Sequence, residues 1–319
     1  MRAIVRARYG APLEVQDVAV PEIGAREVLV EVRAAGVDQG VWHLATGRPY
    51  AIRAAGFGLL RPKLAGLGMD VAGVVAAVGA EVTRLRPGDA VFGVGDATFA
   101  EFAKSDEDRL ARKPDNVSFV QAGAAACSGL AALQGLRDKG RLRAGQRALV
   151  LGAGGAVGSF AVQMAKHLGA EVTGVCSAAK MDLVRSLGAA HVVDYAAAEP
   201  QGTWDVILDT GGGRSLPALR RLLTPTGTLV IVGSEQGGGQ WLQGSDRQLR
   251  AGLLNPFTRQ RLTGLMSKPA PEPLDTLRQW MADAAVIPAI DRTFPLADAA
   301  KAIEHLRAGH PGGKIALTV

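Results

Sequence analysis

The feature that most constrains this chain is a buried strand that runs directly into a glycine-rich turn and then into an amphipathic helix. The strand covers residues 146–152, and the following helix carries its apolar residues on one face, at spacings of three and four. Gly152, Gly155 and Gly158 form a G-x-x-G-x-x-G turn between them. Glycine allows the tight turn, and the helix N-terminus offers backbone amides to an anion. The pattern therefore predicts a dinucleotide-binding turn.

The pyrophosphate of the dinucleotide is expected on the turn itself. The predicted contacts there are Gly152, Gly155, Ala156, Val157 and Gly158.

Strands and helices alternate after this turn. Strands are predicted at 171–176, 191–193, 204–209 and 228–233, and helices at 181–187 and 216–223. Alternation at this pace is typical of a parallel sheet with crossover helices. The fold class is therefore predicted to be α/β, with a doubly wound parallel Rossmann sheet.

The first third of the chain has a different pattern, with strands, turns and few helix signals. Residues 27–32 alternate with period two, and residues 70–79 form a short β-branched run. A chain of 319 residues is long enough for two domains.

Two domain boundaries follow from these patterns. We expect a β-rich domain at residues 1–119, completed by residues 262–319, around a Rossmann domain at 120–261. Residues 234–255 are rich in Gly, Gln and Ser and predict a mobile loop or lid.

Composition argues against several classes of protein. The two cysteines, Cys127 and Cys176, cannot build a disulfide framework or a four-cysteine zinc lobe. The net charge is +6, but no run of five basic residues occurs, so a nucleic-acid partner is not expected. No stretch of about 18 apolar residues exists, and charges interrupt the first eight residues. We expect a cytoplasmic protein without a membrane partner.

The end of the second strand of the sheet predicts which nicotinamide cofactor binds. NAD-selective sites usually carry an acidic residue there, whereas this chain has Cys176-Ser-Ala-Ala-Lys180 and no acid before Asp182. Ser177 can donate a hydrogen bond to a 2′-phosphate, and Lys180 can pair with it. A purely structural interpretation, with Ser177 as a helix cap and Lys180 as a surface charge, stays open. Because a cation in the first turn of a helix opposes the dipole, an anionic ligand explains Lys180 better, and NADP(H) is predicted.

With these features together, the chain resembles the medium-chain dehydrogenase/reductase superfamily, and within it the zinc-independent quinone oxidoreductase branch. The similar segments, in order, are residues 34–38, 66–75, 86–93, 125–130, the glycine turn, 187–195 and 312–314. The resemblance implies a GroES-like catalytic domain for the β-rich part and a homodimer. It also implies that Tyr195 joins Ser177 and Lys180 at the 2′-phosphate. The further cofactor contacts predicted on this basis are Asp38, Ser128, Thr210, Gly233 and Lys314.

This chain differs from the zinc-dependent members of the superfamily at the positions of the zinc ligands. Its zinc alcohol dehydrogenases place a cysteine where Asp38 stands, a histidine where Met69 stands and a third ligand near Ala124. Met and Ala cannot supply the ligands of a catalytic zinc ion, and the structural-zinc cysteines are also missing. We expect no metal site, because Asp38 and His43 alone do not make one.

Hydride can reach a quinone or an enone without a metal, since the negative charge delocalises onto oxygen. The resemblance implies that residues 38–50 line the nicotinamide. Tyr50 is predicted to donate a hydrogen bond to the substrate oxygen, and Trp42 and His43 to form the cleft wall. The alternative, with Trp42 in the core, His43 satisfied in a loop and Ser128 only starting a helix, stays open.

These observations favour an NADPH-dependent quinone or enone reductase. One alternative is a zinc-independent alcohol dehydrogenase-like enzyme of the same superfamily. Another is a non-catalytic NADPH-binding protein, such as a sensor or an RNA-binding relative, because the chain is basic and lacks an evident catalytic acid.

Overall fold

The structure is a computed structural model that describes residues 1–233, 241, 245–309 and 311–319. The chain divides into two units. The β-rich unit contains residues 1–130 and 268–319, and the parallel-sheet unit contains residues 131–267.

Fifteen strands and nine helices of the described residues are named here in chain order. They are β1 (Arg2–Val5), β2 (Glu14–Asp17), β3 (Glu27–Val37), α1 (Gln39–Thr46), β4 (Asp70–Val78), β5 (Ala90–Val94), β6 (Phe102–Asp106), β7 (Leu110–Arg112), α2 (Phe119–Gly123), α3 (Ala126–Leu133), β8 (Arg147–Leu151), α4 (Ala156–His167), β9 (Glu171–Cys176), α5 (Met181–Ser186), β10 (His191–Asp194), β11 (Trp204–Asp209), α6 (Leu216–Arg221), β12 (Leu223–Ile231), α7 (Ser245–Leu254), β13 (Arg261–Gly264), α8 (Pro271–Ala282), β14 (Ile290–Pro295), α9 (Ala299–Arg307) and β15 (Lys314–Thr318).

The β-rich unit is built on one long, mostly antiparallel sheet with the strand order β14-β15-β3-β4-β5-β7. Strand β3 also pairs with β6, and β1 and β2 form a separate two-stranded ladder. The period-two pattern predicted in β3 is confirmed, since Val28, Val30 and Val32 are all buried. Strand β15 closes the sheet against β3, which brings the C-terminal segment of the chain next to residues 34–37.

The parallel-sheet unit has six strands in the order β10-β9-β8-β11-β12-β13, and every pairing is parallel. This is the doubly wound order, and the predicted α/β Rossmann sheet is confirmed. Leu149, Ile207, Leu229 and Ile231 form its buried core. The strand order reverses between β8 and β11, where sheets of this kind bind ligands beyond the carboxyl ends of the strands.

The lid predicted at 234–255 is wrong over its last part. Residues 245–254 form helix α7, and Ala251 on this helix is fully buried in the core of the parallel-sheet unit. The composition that predicted a loop was overridden by tertiary packing, which a local pattern does not reveal. Residues 234–240 and 242–244 of the predicted lid lie outside the described residues.

No helix in the described ranges has the length and apolar character that a membrane span requires.

Candidate functional site

The glycine turn links β8 to α4 at the point where the strand order reverses. Gly152 has φ +79°, a backbone conformation that residues with a Cβ rarely adopt. The amides of Gly152 and Ala153 both donate to the carbonyl oxygen of Val175, at 3.0 and 2.9 Å. These bonds fix the turn against the end of β9, so its position is set by the sheet.

The start of α4 leaves backbone amides without partners inside the helix. Gly155 precedes the helix and provides no side-chain cap, and the first turn carries no acidic residue. The amides of the first turn, at Ala156 and Val157, have no partners within the helix because none lies one turn earlier. A Cβ at Gly158 would collide with the carbonyl oxygen of Gly152, so glycine is required for this close approach.

Lys180 lies across the same turn. A Cβ built on Gly154 would come within 2.8 Å of the Cβ and Cδ atoms of Lys180, which shows how closely the aliphatic chain covers the backbone. Sequence reasoning missed Gly154, which stands between the glycines of the motif. The signal in the sequence was the additional glycine itself. The structure explains it, because a side chain at position 154 would displace Lys180.

Ser177 and Tyr195 lie at the adjacent strand ends. Ser177 precedes a short 3₁₀ turn, Ala178–Lys180, and its side chain makes no capping hydrogen bond there. Ser177 therefore occupies the N-cap position without a hydrogen bond from its side chain to this turn. Tyr195 is 59% exposed, and its amide donates to the carbonyl oxygen of Cys176 at 3.1 Å. The structure thus brings Ser177, Lys180 and Tyr195 to one edge of the sheet.

Thr210 and Gly233 approach the glycine turn from β11 and β12. The Thr210 hydroxyl donates to the carbonyl oxygen of Leu151 at 2.7 Å, and a Cβ on Gly152 would strike that hydroxyl. A Cβ on Gly233 would lie 2.8 Å from the Thr210 carbonyl oxygen. These two predicted cofactor residues therefore lie beside the turn.

Asp209 holds this strand end together, and sequence reasoning missed it. One carboxylate oxygen accepts hydrogen bonds from the amides of Gly211 and Gly212, at 3.2 and 3.1 Å. The other pairs with Arg247 on α7 at 2.6 Å, and the Asp209 side chain is only 1% exposed. An acidic residue that ends a buried strand and precedes Thr-Gly-Gly could have been recognised as a loop anchor.

In the β-rich unit, α1 carries Trp42 and His43, whose ring centroids are 5.1 Å apart. Trp42 packs against a hydrophobic core, and the guanidinium of Arg307 lies 4.1 Å from its ring. His43 Nδ1 lies 2.7 Å from the Arg48 carbonyl oxygen. These contacts favour the structural interpretation of both residues.

Tyr50 follows α1, and the guanidinium of Arg53 lies 4.7 Å from its ring centroid. The three predicted catalytic residues, Trp42, His43 and Tyr50, all lie within the nine residues 42–50.

A buried polar cluster lies behind α1. The ammonium group of Lys314 is 3.1 Å from Asp70 Oδ2, 3.1 Å from Ser128 Oγ and 3.7 Å from Asp38 Oδ2. Cys127 belongs to the same cluster, since its amide donates to Asp70 Oδ1 at 2.6 Å. The structure thus brings together three predicted cofactor residues, Asp38, Ser128 and Lys314. Here Lys314 contacts both of the others within the protein. Sequence reasoning missed Asp70 and Cys127.

Burial and neighbouring charges both shift the pKa values of groups in this cluster. Burial raises the pKa of Asp38, although Lys314 opposes the effect. Burial also raises the pKa of the Cys127 thiol well above its ordinary value, with a further contribution from Asp70. Burial opposes the charge of Lys314, but Asp70 and Asp38 outweigh it, so its pKa is raised. The cluster therefore holds a charged lysine and a protonated thiol.

One member of the cluster, Asp38, stands where the resemblance places a zinc-ligating cysteine of the zinc alcohol dehydrogenases. Asp38, Asp70 and Cys127 each offer a ligand atom within 4.8 Å of the others. However, the fully buried Lys314 ammonium contacts both carboxylates. A buried ammonium repels a divalent cation, and a protonated thiol does not bind one, so these residues do not fit zinc.

Two protein-family models match the chain. The model described as "Alcohol dehydrogenase GroES-like domain" matches residues 24–129. The model described as "Zinc-binding dehydrogenase" matches residues 187–317. The predicted GroES-like domain is confirmed by the first match.

Among curated proteins, the Arabidopsis thaliana "Chloroplast envelope quinone oxidoreductase homolog" is 30% identical over 336 residues, which cover 99% of this chain and 97% of that protein. The Solanum lycopersicum "2-methylene-furan-3-one reductase" is 32% identical, over 75% of this chain and 66% of that protein. The Streptomyces orinoci "Spectinabilin polyketide synthase system protein NorB" is 39% identical over 65% of this chain. The chain spans only 4–9% of the length of the polyketide synthases it matches.

Solved structures agree with these relatives. The quinone oxidoreductase from Coxiella burnetii has a TM-score of 0.83 and 25% identity, over 100% of this chain and 99% of that one. A mycobacterial structure complexed with NADPH has a TM-score of 0.82 and 25% identity, over 100% of both chains. With a 30%-identical relative matched over nearly its whole length, the chain belongs to the quinone oxidoreductase-like branch of the medium-chain dehydrogenase/reductase superfamily.

Proposed function

We propose that this oxidoreductase uses NADPH to reduce a quinone or an α,β-unsaturated carbonyl, and that it does so without zinc. The observation that carries the cofactor assignment is the position of Lys180, whose side chain covers Gly154 in the glycine turn. Ser177 and Tyr195 stand at the same edge of the sheet. No acidic side chain stands at the end of β9 to select a ribose 2′-hydroxyl, because the next residues are Ser177, Ala178 and Ala179.

In this proposal the parallel-sheet unit binds the dinucleotide. The amides at the start of α4 bind the pyrophosphate, and Lys180, Ser177 and Tyr195 bind the 2′-phosphate. The bound cofactor supplies the hydride from its nicotinamide ring. The mycobacterial relative complexed with NADPH supports this choice of cofactor.

The β-rich unit provides the substrate side of the proposal. In this proposal Tyr50 donates a hydrogen bond to the substrate oxygen on which negative charge develops. Trp42 and His43, which also make the structural contacts described above, form the wall of the cleft. The relatives named for quinone and 2-methylene-furan-3-one reduction support a conjugated carbonyl as the substrate class.

Zinc independence is proposed from the side chains of the buried cluster. Lys314 contacts both carboxylates of the cluster, and the resemblance implies that Met69 stands where the zinc alcohol dehydrogenases have a histidine ligand. Because a quinone or enone delocalises the charge that it receives, the reaction does not require a Lewis acid.

The domain roles are part of the same proposal, with cofactor binding in residues 120–261 and substrate binding in residues 1–119 and 262–319. A homodimer and a cytoplasmic location are proposed as well.

A substrate panel tests this function. We expect oxidation of NADPH by at least one quinone or enone, with protein that has been treated with a chelator. The counter-assay is oxidation of primary and secondary alcohols with NADP⁺ after addition of Zn²⁺. Alcohol oxidation that depends on zinc, together with no turnover of any quinone or enone, would contradict the proposal. Tight NADPH binding without turnover, with RNA binding that weakens as salt rises, would instead indicate a non-catalytic protein.

A further inference from the structure

Lys314 is the most completely buried charged side chain of the cluster described above, with an exposed fraction of 0%. An ammonium ion in such a place is costly unless several acceptors surround it. Its three polar neighbours come from different parts of the fold. Asp70 in β4 and Ser128 in α3 accept hydrogen bonds from it, and Asp38 before α1 forms an ion pair with it at 3.7 Å. Each is separated from Lys314 by at least 186 residues of sequence.

Two of the residues that contact Lys314, Asp38 and Asp70, also belong to a group of side chains that could hold a metal ion. Two carboxylates and one thiol, from Asp38, Asp70 and Cys127, have ligand atoms within 4.8 Å of one another. Carboxylate and thiolate groups are both ligands of Zn²⁺ and of other divalent ions. The ammonium group stands 3.1 and 3.7 Å from the two carboxylates, in the space that a cation shared between them would occupy.

We infer that the ammonium group of Lys314 is a built-in substitute for a metal ion, which neutralises Asp38 and Asp70 and keeps a divalent cation out of this pocket. The inference deepens the zinc-independent function proposed above, on which it rests, by naming the residue responsible.

The contacts of Lys314 also give it a positioning role. Asp38 accepts a hydrogen bond from the Val41 amide at 3.3 Å and so caps the helix that carries Trp42 and His43. Asp70 accepts from the Cys127 amide at the start of α3. Because one ammonium group contacts both carboxylates, it ties the beginnings of α1 and α3 to β15, as a shared metal ion would.

Charge also explains why the ammonium group of Lys314 and a divalent ion do not share this pocket. The pocket already holds one positively charged ammonium group between the carboxyl groups of Asp38 and Asp70. A divalent ion would need the thiol of Cys127 to lose its proton, and it would also meet a positive charge at close range. Removal of the ammonium group leaves the carboxylates without a cation and makes a divalent ion the natural replacement.

The test is titration of the metal-free protein with Co²⁺, in wild type and in Lys314→Met. Methionine retains much of the length of lysine but carries no charge. We expect Lys314→Met to bind one equivalent of Co²⁺ roughly 100-fold or more tightly than wild type. Binding is followed by the near-ultraviolet absorption that a thiolate gives when it coordinates cobalt, and by the rise in Tm with Co²⁺.

The matched control is Lys314→Met with Cys127→Ser, in which the thiolate absorption should disappear. A merely structural role for Lys314 would lower the stability of the variant but would not create this absorption. The inference is overturned if wild type binds one equivalent of Co²⁺ with the same absorption, or if folded Lys314→Met binds none.

A second variant decides the case in which Lys314→Met does not fold even with Co²⁺. Asp38→Asn combined with Lys314→Met has the same net charge in the pocket as wild type, so neutralisation predicts that it folds. Failure of this double variant to recover the folded state, judged by circular dichroism, would overturn the inference. None of these measurements uses substrate turnover, so their failure is distinct from failure of the proposed activity.

Discussion

Replacement of Lys180 by glutamate should raise the KM for NADPH on the order of 100-fold, while the KM for NADH changes by less than about threefold. The aliphatic part of the Lys180 side chain lies over Gly154, which places this lysine beside the glycine turn. Glutamate at this position would replace an attraction for the 2′-phosphate with a repulsion. NADH lacks this phosphate and should be largely insensitive. Steady-state kinetics with both cofactors measure the effect.

Lys166→Glu is the matched control for this variant. Lys166 is an exposed lysine near the end of α4, roughly 15 Å along the helix from the glycine turn. Lys166→Glu changes the net charge by the same amount as Lys180→Glu, so it reports any long-range electrostatic effect on the KM values. Equal increases in KM for NADPH and NADH in Lys180→Glu would show that Lys180 does not bind the 2′-phosphate.

The second large effect concerns stability. Asp209→Asn should lower the free energy of unfolding by about 3 kcal/mol, because it leaves the guanidinium group of Arg247 buried without its carboxylate. The Arg247 side chain is 12% exposed. Its Nε and Nη1 atoms are already buried without a hydrogen-bond partner among the described residues. Urea unfolding of the whole chain, followed by circular dichroism, measures the change.

Two further variants make this prediction specific. Glu199→Gln breaks the ion pair with Arg214, in which Glu199 is 69% exposed, and should cost less than about 1 kcal/mol. The double variant Asp209→Asn/Arg247→Met removes the unpaired charge and should recover much of the lost stability. If Asp209→Asn is no more costly than Glu199→Gln, the buried pair does not hold the end of β11.

Local sequence patterns were sufficient to predict the parallel sheet. Strands β8, β9 and β11 are short apolar runs, and the helix after the glycine turn shows its buried face directly in the spacing of its residues. Gly152 and Gly158 could be recognised because positive φ and close backbone approach both require glycine. These properties depend on a few neighbouring residues, so the sequence reveals them.

The buried cluster could not be predicted in the same way. Lys314 and Asp70 are 244 residues apart, and their contact depends on the pairing of β15 with β3 and of β3 with β4. In the sequence, Asp70 only begins a β-branched run, and Cys127 is one of two isolated cysteines. Helix α7 was missed for a related reason, because its burial depends on Ala251 and on the pairing of Arg247 with Asp209.

Comparison of kcat/KM for NADPH and NADH, in wild-type protein treated with a chelator, tests the central claim most directly. The acceptor is the best quinone or enone of the substrate panel. We predict that NADPH is preferred by at least about tenfold, since the 2′-phosphate adds a charge-assisted contact with Lys180. We also predict that the chelator leaves the rate unchanged. Equal or better use of NADH, or a rate that the chelator abolishes and Zn²⁺ restores, would contradict the account.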